Sequence, residues 1–170
     1  MNWFAEFSWF TKILAASQHP DIRINADTQR KSPSSMNNIE VFLKASTFAV
    51  AGASQDRSKY GNKVFRALVA SGRSVYPLNP KTTEVEGDPA FASIADLPVV
   101  LESLSIVTPP HVTRKVIQQA IAAGVKNIWM QPGAEDSKGS QAARDAGLNV
   151  IDDGSCVLVL LAIDSKKHQH

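Results

Sequence analysis

A chain of 170 residues, 44% of them hydrophobic and 20% charged, suits one globular domain with a sizeable core. Its formal charge of +2, with no basic run or basic-aromatic interleaving, argues against a nucleic-acid binder. One cysteine excludes an internal disulfide, the four scattered histidines give no zinc spacing, and every apolar run is shorter than a membrane-spanning helix needs.

Residues 1–17 carry Trp3, Phe4, Phe7, Phe10, Ile13 and Leu14 on one helical face. Residues 18–35, with Pro20 and Pro33, read as a polar linker. Residues 1–36 are therefore expected to be a flexible extension. The apolar stripe also suits a presequence, which would add a mitochondrial option to the cytoplasmic one. Glu6, and Lys12 as the single cation before His19, differ from the arginine-rich, acid-poor pattern of transit peptides. Because the regular pattern opens at Met36, a native start at that methionine is a further expectation.

Residues 47–51 (TFAVA) predict a first strand ending at Gly52. Val64, Phe65, Leu68 and Val69 recur at helical spacing within residues 62–71, and Gly72 supplies a stop. Residues 74–78 (SVYPL) predict a second strand. Residues 82–103, with Gly87, Pro89 and Pro98, read as irregular except for a short helix near Ile94. A third strand is expected at 104–107, and a helix at 111–123 between Pro110 and Gly124. A fourth strand (126–130), a helix (135–146) closed by Gly147 and a fifth strand (148–151) follow. Residues 156–163 form an apolar element of unassigned type, and residues 164–170 a polar tail holding His168 and His170. Short apolar strands alternating with amphipathic helices indicate α/β architecture over residues 37–163. The expected fold is a Rossmann-like, doubly wound parallel sheet of about five strands in three αβα layers.

Ligands of such sheets bind beyond the carboxyl ends of the strands. The first loop there is Gly52-Ala53-Ser54-Gln55-Asp56-Arg57-Ser58-Lys59-Tyr60-Gly61, between a strand and a helix. Amides at a helix start, with the helix dipole, attract anions. Gly52 permits the tight turn, Ser54 and Ser58 offer hydroxyls, and Lys59 or Arg57 offers positive charge. The loop is neither the dinucleotide fingerprint nor a Walker A loop, since Ser54 and Arg57 stand at the second and third glycine positions. The second strand exits into Leu78-Asn79-Pro80-Lys81, where an NAD enzyme would place a carboxylate. A lysine there suits a phosphorylated ribose, as in coenzyme A or NADP.

Cys156 and His111 both fall on carboxyl-edge loops, with Asp152 or Asp153 near Cys156 in sequence. A lone cysteine in an apolar run nevertheless reads as packing, and His111 as a helix-top residue. Ser155 lacks the nucleophile-elbow glycines. No catalytic residue is assigned.

Several runs resemble the small CoA-binding domain proteins, the YccU-like group. They are Phe48–Ser54, Lys59-Tyr60-Gly61, Val75–Lys81, Gly87–Phe91 with Ile94–Pro98, Thr108-Pro109-Pro110 and Ile128–Gly133. The same module forms the nucleotide-binding part of the succinate–CoA ligase alpha subunit. The resemblance implies that Gly52, Ala53 and Ser54, with Lys59 and Tyr60 nearby, hold the diphosphate of coenzyme A. It implies that Asn79, Pro80 and Lys81 meet the phosphorylated ribose, with Thr108 and Pro109 flanking the cofactor. Met130, at a strand end, is expected to touch the adenine or the pantetheine arm. The family's closing Asp-Arg-Cys is altered here to Asp152-Asp153-Gly154-Ser155-Cys156. The expected partners are thus a small nucleotide and either a second copy or a ligase-like protein, with no nucleic acid and no membrane span. The function implied is a coenzyme A module or sensor without catalysis of its own. The alternatives are an NADP-dependent oxidoreductase and an interaction domain that keeps only the fold.

Overall fold

The computed structural model describes residues 33–167. The expectations for the N-terminal apolar stripe and for His168 and His170 lie outside these residues. The chain runs through α1 (Pro33–Leu43), β1 (Thr47–Ala51), α2 (Tyr60–Ala70) and β2 (Ser74–Leu78). A small ribbon follows, β3 (Glu84–Val85) and β4 (Asp88–Pro89), then a 3-10 turn at Ile94–Asp96. Next come β5 (Ser103–Ile106), α3 (Pro110–Ala122), β6 (Asn127–Met130), α4 (Ser137–Asp145), β7 (Asn149–Ile151) and α5 (Val157–Lys167). Helix α1 opens at Pro33, so regular structure begins before the expected boundary near residue 37.

Five strands pair in parallel in the order β2-β1-β5-β6-β7. This is the doubly wound order that reverses direction at its first strand, so the switch point lies between β1 and β5. Side chains of a strand alternate between faces, and the sheet splits its core accordingly. Phe48 and Val50 of β1 join Ile39 and Phe42 of α1, Val64, Phe65 and Leu68 of α2, and Val157 and Leu161 of α5. Ala49 and Ala51 join Leu104 and Ile106 of β5 with Ile117 of α3 and Ala143 of α4 on the other face. Phe42 meets Phe48 and Trp129 edge-on, at ring separations of 5.7 and 5.2 Å. The expected three-layer α/β fold is therefore present.

Pro77 is tolerated in β2 because β2 is the edge of the five-stranded sheet. The chain returns alongside this edge, and Pro77 O accepts from Phe91 N at 3.0 Å. The region expected to be irregular thus carries a tight hairpin. Glu86 and Gly87 both have positive φ, 53° and 90°, the twist a two-residue hairpin turn requires.

Candidate functional site

The strand order brings the exits of β2, β1 and β5 side by side. At the centre, Gly52 turns the chain out of β1 with φ of 88°. A Cβ there would lie 3.1 Å from Val107 O and 3.2 Å from Thr108 Cγ2, so the turn is pressed against the end of β5. Gly61, in the first turn of α2, is closer still: a Cβ on it would stand 2.0 Å from Gly52 O. Two glycines therefore let the start of α2 sit directly on the β1 turn. That is the close helix–strand packing that the last glycine of the dinucleotide fingerprint provides, at a different spacing.

The intervening loop is held by its own side chains. Ser54 Oγ accepts from Asp56 N at 3.1 Å, and the Asp56 carboxylate accepts from both Ser58 N (2.9 Å) and Ser58 Oγ (2.6 Å). The Ser58 hydroxyl bond, then the Ser58 amide, lowers the Asp56 pKa. The expected Ser58 donor is thus turned onto Asp56, which stands as an internal anion at the start of α2. Lys59, the residue preceding α2, is exposed.

Asn79 ties the second exit to the first. Its Nδ2 donates to Ala53 O at 2.7 Å, and its Oδ1 accepts from Lys81 N at 2.9 Å. Pro80 and Lys81 are exposed beside it, as is Pro109; Thr108 is half-buried and its hydroxyl meets that of Thr113 at 2.9 Å. The predicted residues Gly52, Ala53, Ser54, Ser58, Lys59, Asn79, Pro80, Lys81, Thr108 and Pro109 therefore all lie on these three neighbouring exits.

Met130 does not share this placement. It is fully buried in the core, where its sulfur accepts from Ser140 Oγ at 3.7 Å, because its β6 position faces α3 and α4. The side chain expected to touch a ligand is here packed in the core. Tyr60 points towards β6 and β7, its hydroxyl 2.7 Å from Cys156 Sγ and 3.5 Å from Gln131 Oε1. Burial first, and then the Cys156 contact, push the Tyr60 phenol above its usual pKa range, so it stays protonated. His111 is exposed at the start of α3, while Asp152 pairs with Arg144 and Asp153 accepts from Ser35 Oγ. Asp152, Asp153 and Cys156 are thus each engaged with another residue, and no hydrogen bond joins His111 to Cys156.

Two groups have no individual role in the sequence reading. Glu86, at the hairpin tip, accepts from Arg57 Nε (2.9 Å) and Arg57 Nη2 (2.8 Å), and also from Asn62 Nδ2 (2.8 Å). Arg57 first, then Asn62, hold the Glu86 carboxyl at about 2. Asn62 also donates to Ser54 O at 2.7 Å, so the hairpin is clasped to the loop. The second is Gln131, which is completely buried at the end of β6. A left-handed glutamate leaves no sequence pattern to find it by, whereas Gln131 lies in the run Ile128–Gly133 that carries the resemblance.

Among the described residues, no group of three or more His, Cys, Asp or Glu is placed to hold a metal, and no helix is long and apolar enough to cross a membrane.

A parallel 2-1-3-4-5 sheet with a glycine turn at its switch point makes this a Rossmann-like α/β protein. Its residues 46–162 match the family model for the CoA binding domain, and the chain belongs to that family. It is similar to the alpha subunit of acetate–CoA ligase (ADP-forming) II of Pyrococcus furiosus, 29% identical over 108 residues that cover 63% of this chain and 24% of that subunit. The chain thus spans about a quarter or less of the curated ligases it matches, 24% and 16% for two of them. Among solved structures, a hypothetical protein from Pyrococcus horikoshii aligns with a TM-score of 0.69 and 30% identity, over 73% of this chain and 87% of its own. A conserved hypothetical protein of Pyrococcus furiosus aligns with a TM-score of 0.63 and 35% identity, over 68% of this chain and 98% of its own. The matched family is a coenzyme A one, and the NADP alternative gains no support from it.

Proposed function

We propose that this chain binds coenzyme A, or an acyl-CoA, through its 3′-phosphorylated ADP half, as a module without catalysis of its own. The diphosphate lies over the amides of Gly52, Ala53 and Ser54 at the start of α2, with Lys59 and Tyr60 beside it. An incoming diphosphate competes with the Asp56 carboxylate for Ser58. The ribose phosphate meets Lys81, which Asn79 and Pro80 present at the exit of β2. Thr108 and Pro109 close the other side. The observation that carries the reading is the family match over residues 46–162, which contains every one of these residues. The geometry supports it: the glycine pair puts a helix start, with its positive dipole, at the switch point of the sheet.

The test is a thermal-shift series with coenzyme A, dephospho-CoA, NADPH and NAD. A ligand present at 100 times its dissociation constant stabilises by about 2.7 kcal/mol. Coenzyme A is expected to shift the melt more than dephospho-CoA, and both more than NAD. A shift with NADPH and none with coenzyme A would overturn the reading.

A further inference from the structure

Only one end of the buried Gln131 side chain is accounted for by the fold. Its backbone N–H completes the sheet pairing with Ile106 O at 2.9 Å. Its side-chain Oε1 accepts from Val157 N, at the start of α5, at 2.9 Å, and lies 3.5 Å from the Tyr60 hydroxyl. The Val157 N–H, a donor only, fixes which end of the amide is oxygen. The Nε2 end, with two N–H donors, is buried and has no hydrogen-bond partner. A buried donor left unmade costs on the order of 1–3 kcal/mol, and native interiors hold few of them. The neighbouring Ser155 Oγ is likewise buried without a partner. Tyr60 and Cys156, both partly exposed, meet at 2.7 Å, and the same Tyr60 hydroxyl lies beside the Gln131 amide. Tyr60 follows Lys59 directly, so this cluster adjoins the proposed diphosphate cradle.

We propose that Gln131 is the anchor of a second subsite at the ends of β6 and β7, which takes a carbonyl oxygen on the thiol-bearing arm of the ligand. The inference rests on the coenzyme A reading above. Gln131 Nε2 donates to that carbonyl, and the Tyr60–Cys156 contact opens to admit the arm. An amide or thioester carbonyl is the matching chemistry, since it accepts hydrogen bonds without bringing charge into an apolar pocket. The arm offers two kinds of carbonyl: the amides present in every coenzyme A, and the thioester present only in its acyl form.

The experiment compares coenzyme A, acetyl-CoA and the armless fragment 3′-phosphoadenosine 5′-diphosphate by calorimetric titration. Each is titrated into the wild-type chain and into Gln131→Glu and Gln131→Met. Gln131→Glu keeps an oxygen for Val157 N and replaces the two amide N–H donors with at most one O–H. Gln131→Met keeps the volume and removes both, so a fold lost in one variant leaves the other. A melt of each variant, with and without the fragment, establishes that it is folded. Fragment affinity is expected to stay within about twofold, while affinity for the armed ligands falls about tenfold, the change worth one such hydrogen bond. A loss for coenzyme A and acetyl-CoA alike assigns the amide carbonyl; a loss for acetyl-CoA alone assigns the thioester. Armed ligands and fragment weakening together, or neither weakening, would overturn the subsite while leaving the nucleotide reading intact. Failure of the fragment to bind the wild-type chain would overturn both.

Discussion

Gly61→Ala makes the sharpest test of how the cradle is built. In an ordinary helix, replacing glycine by alanine stabilises by about 1 kcal/mol. Gly61 is a fully helical residue of α2, so propensity alone points the same way. Here the added Cβ falls 2.0 Å from Gly52 O and 2.9 Å from Gly52 C, both backbone atoms with no rotamer to relieve the clash. Real Cβ contacts lie beyond 3.0 Å, so the start of α2 must move at least about 1 Å off the turn. Overpacking of that kind costs about 1–3 kcal/mol or somewhat more, and it exceeds the propensity gain. We expect a net loss of about 1–2 kcal/mol and a fall in Tm of roughly 2–8 °C, read by thermal and urea denaturation. The urea slope should be unchanged, because the surface exposed on unfolding is the same. Gly124→Ala is the control: its φ is 72° and nothing lies within 4 Å, so only the left-handed backbone penalty of about 1 kcal/mol applies. Gly61→Ala should also weaken coenzyme A binding, since the shifted helix start carries its amides away from Gly52. A Gly61→Ala chain as stable as the parent would refute the close-packing argument.

Lys81→Ala should erase the difference between coenzyme A and dephospho-CoA in the thermal shift, leaving both weaker than coenzyme A with the parent chain. Asn79→Ala removes the bonds to Ala53 O and Lys81 N and should cost about 1–2 kcal/mol in urea unfolding, with a further loss of coenzyme A affinity. Glu86 and Asp136 are each held at about 2, chiefly by Arg57 and by Arg114, against ordinary values of 4.5 and 3.8. Folded values that are depressed mean a stabilisation fully present above the ordinary range and lost as pH falls towards 2. The urea midpoint should therefore drop between about pH 5 and pH 2, and Glu86→Gln with Asp136→Asn should flatten that drop. Because Arg57 is 66% exposed, the Glu86 share is expected to stay below about 1 kcal/mol.

The parallel strands were legible because each is a short apolar run bounded by glycine or proline, and their helices because apolar residues recur at helical spacing. Helix α1 was hidden: its core contacts come from Ile39 and Phe42, with Leu43 partly buried beside them, after a polar stretch rich in turn formers. Helix α5 opens with Val157, Leu158, Val159, Leu160 and Leu161, a run that strand and helix share equally, and only its 11-residue length decides. The β3–β4 hairpin has strands of two residues, too short to alternate, and Glu86 occupies a left-handed position where asparagine or glycine is the usual signal. Its side chain explains the choice, since Arg57 and Asn62 both bind it. The glycine loop was visible as a loop, but the partner of Gly52 was not. Gly61 stands outside the fingerprint spacing, and only the packing of α2 on the turn reveals what it does.

The sheet order explains why the two candidate subsites share one edge. β1 lies between β2 and β5, so residues far apart in sequence, Gly52, Asn79 and Thr108, become neighbours. β6 is two strands from β1, about 10 Å away at the usual spacing, and β7 is one strand further. A loop confined to the β1 exit would not reach that far. Tyr60, the first residue of α2, crosses the gap and touches Cys156 beyond β7 and Gln131 at the end of β6. The proposed phosphate cradle and a buried, unpartnered amide are thus joined through one helix start. A compact nucleotide would use only the first. A ligand with an anionic head and a long neutral arm would use both, the shape that the proposed coenzyme A reading requires.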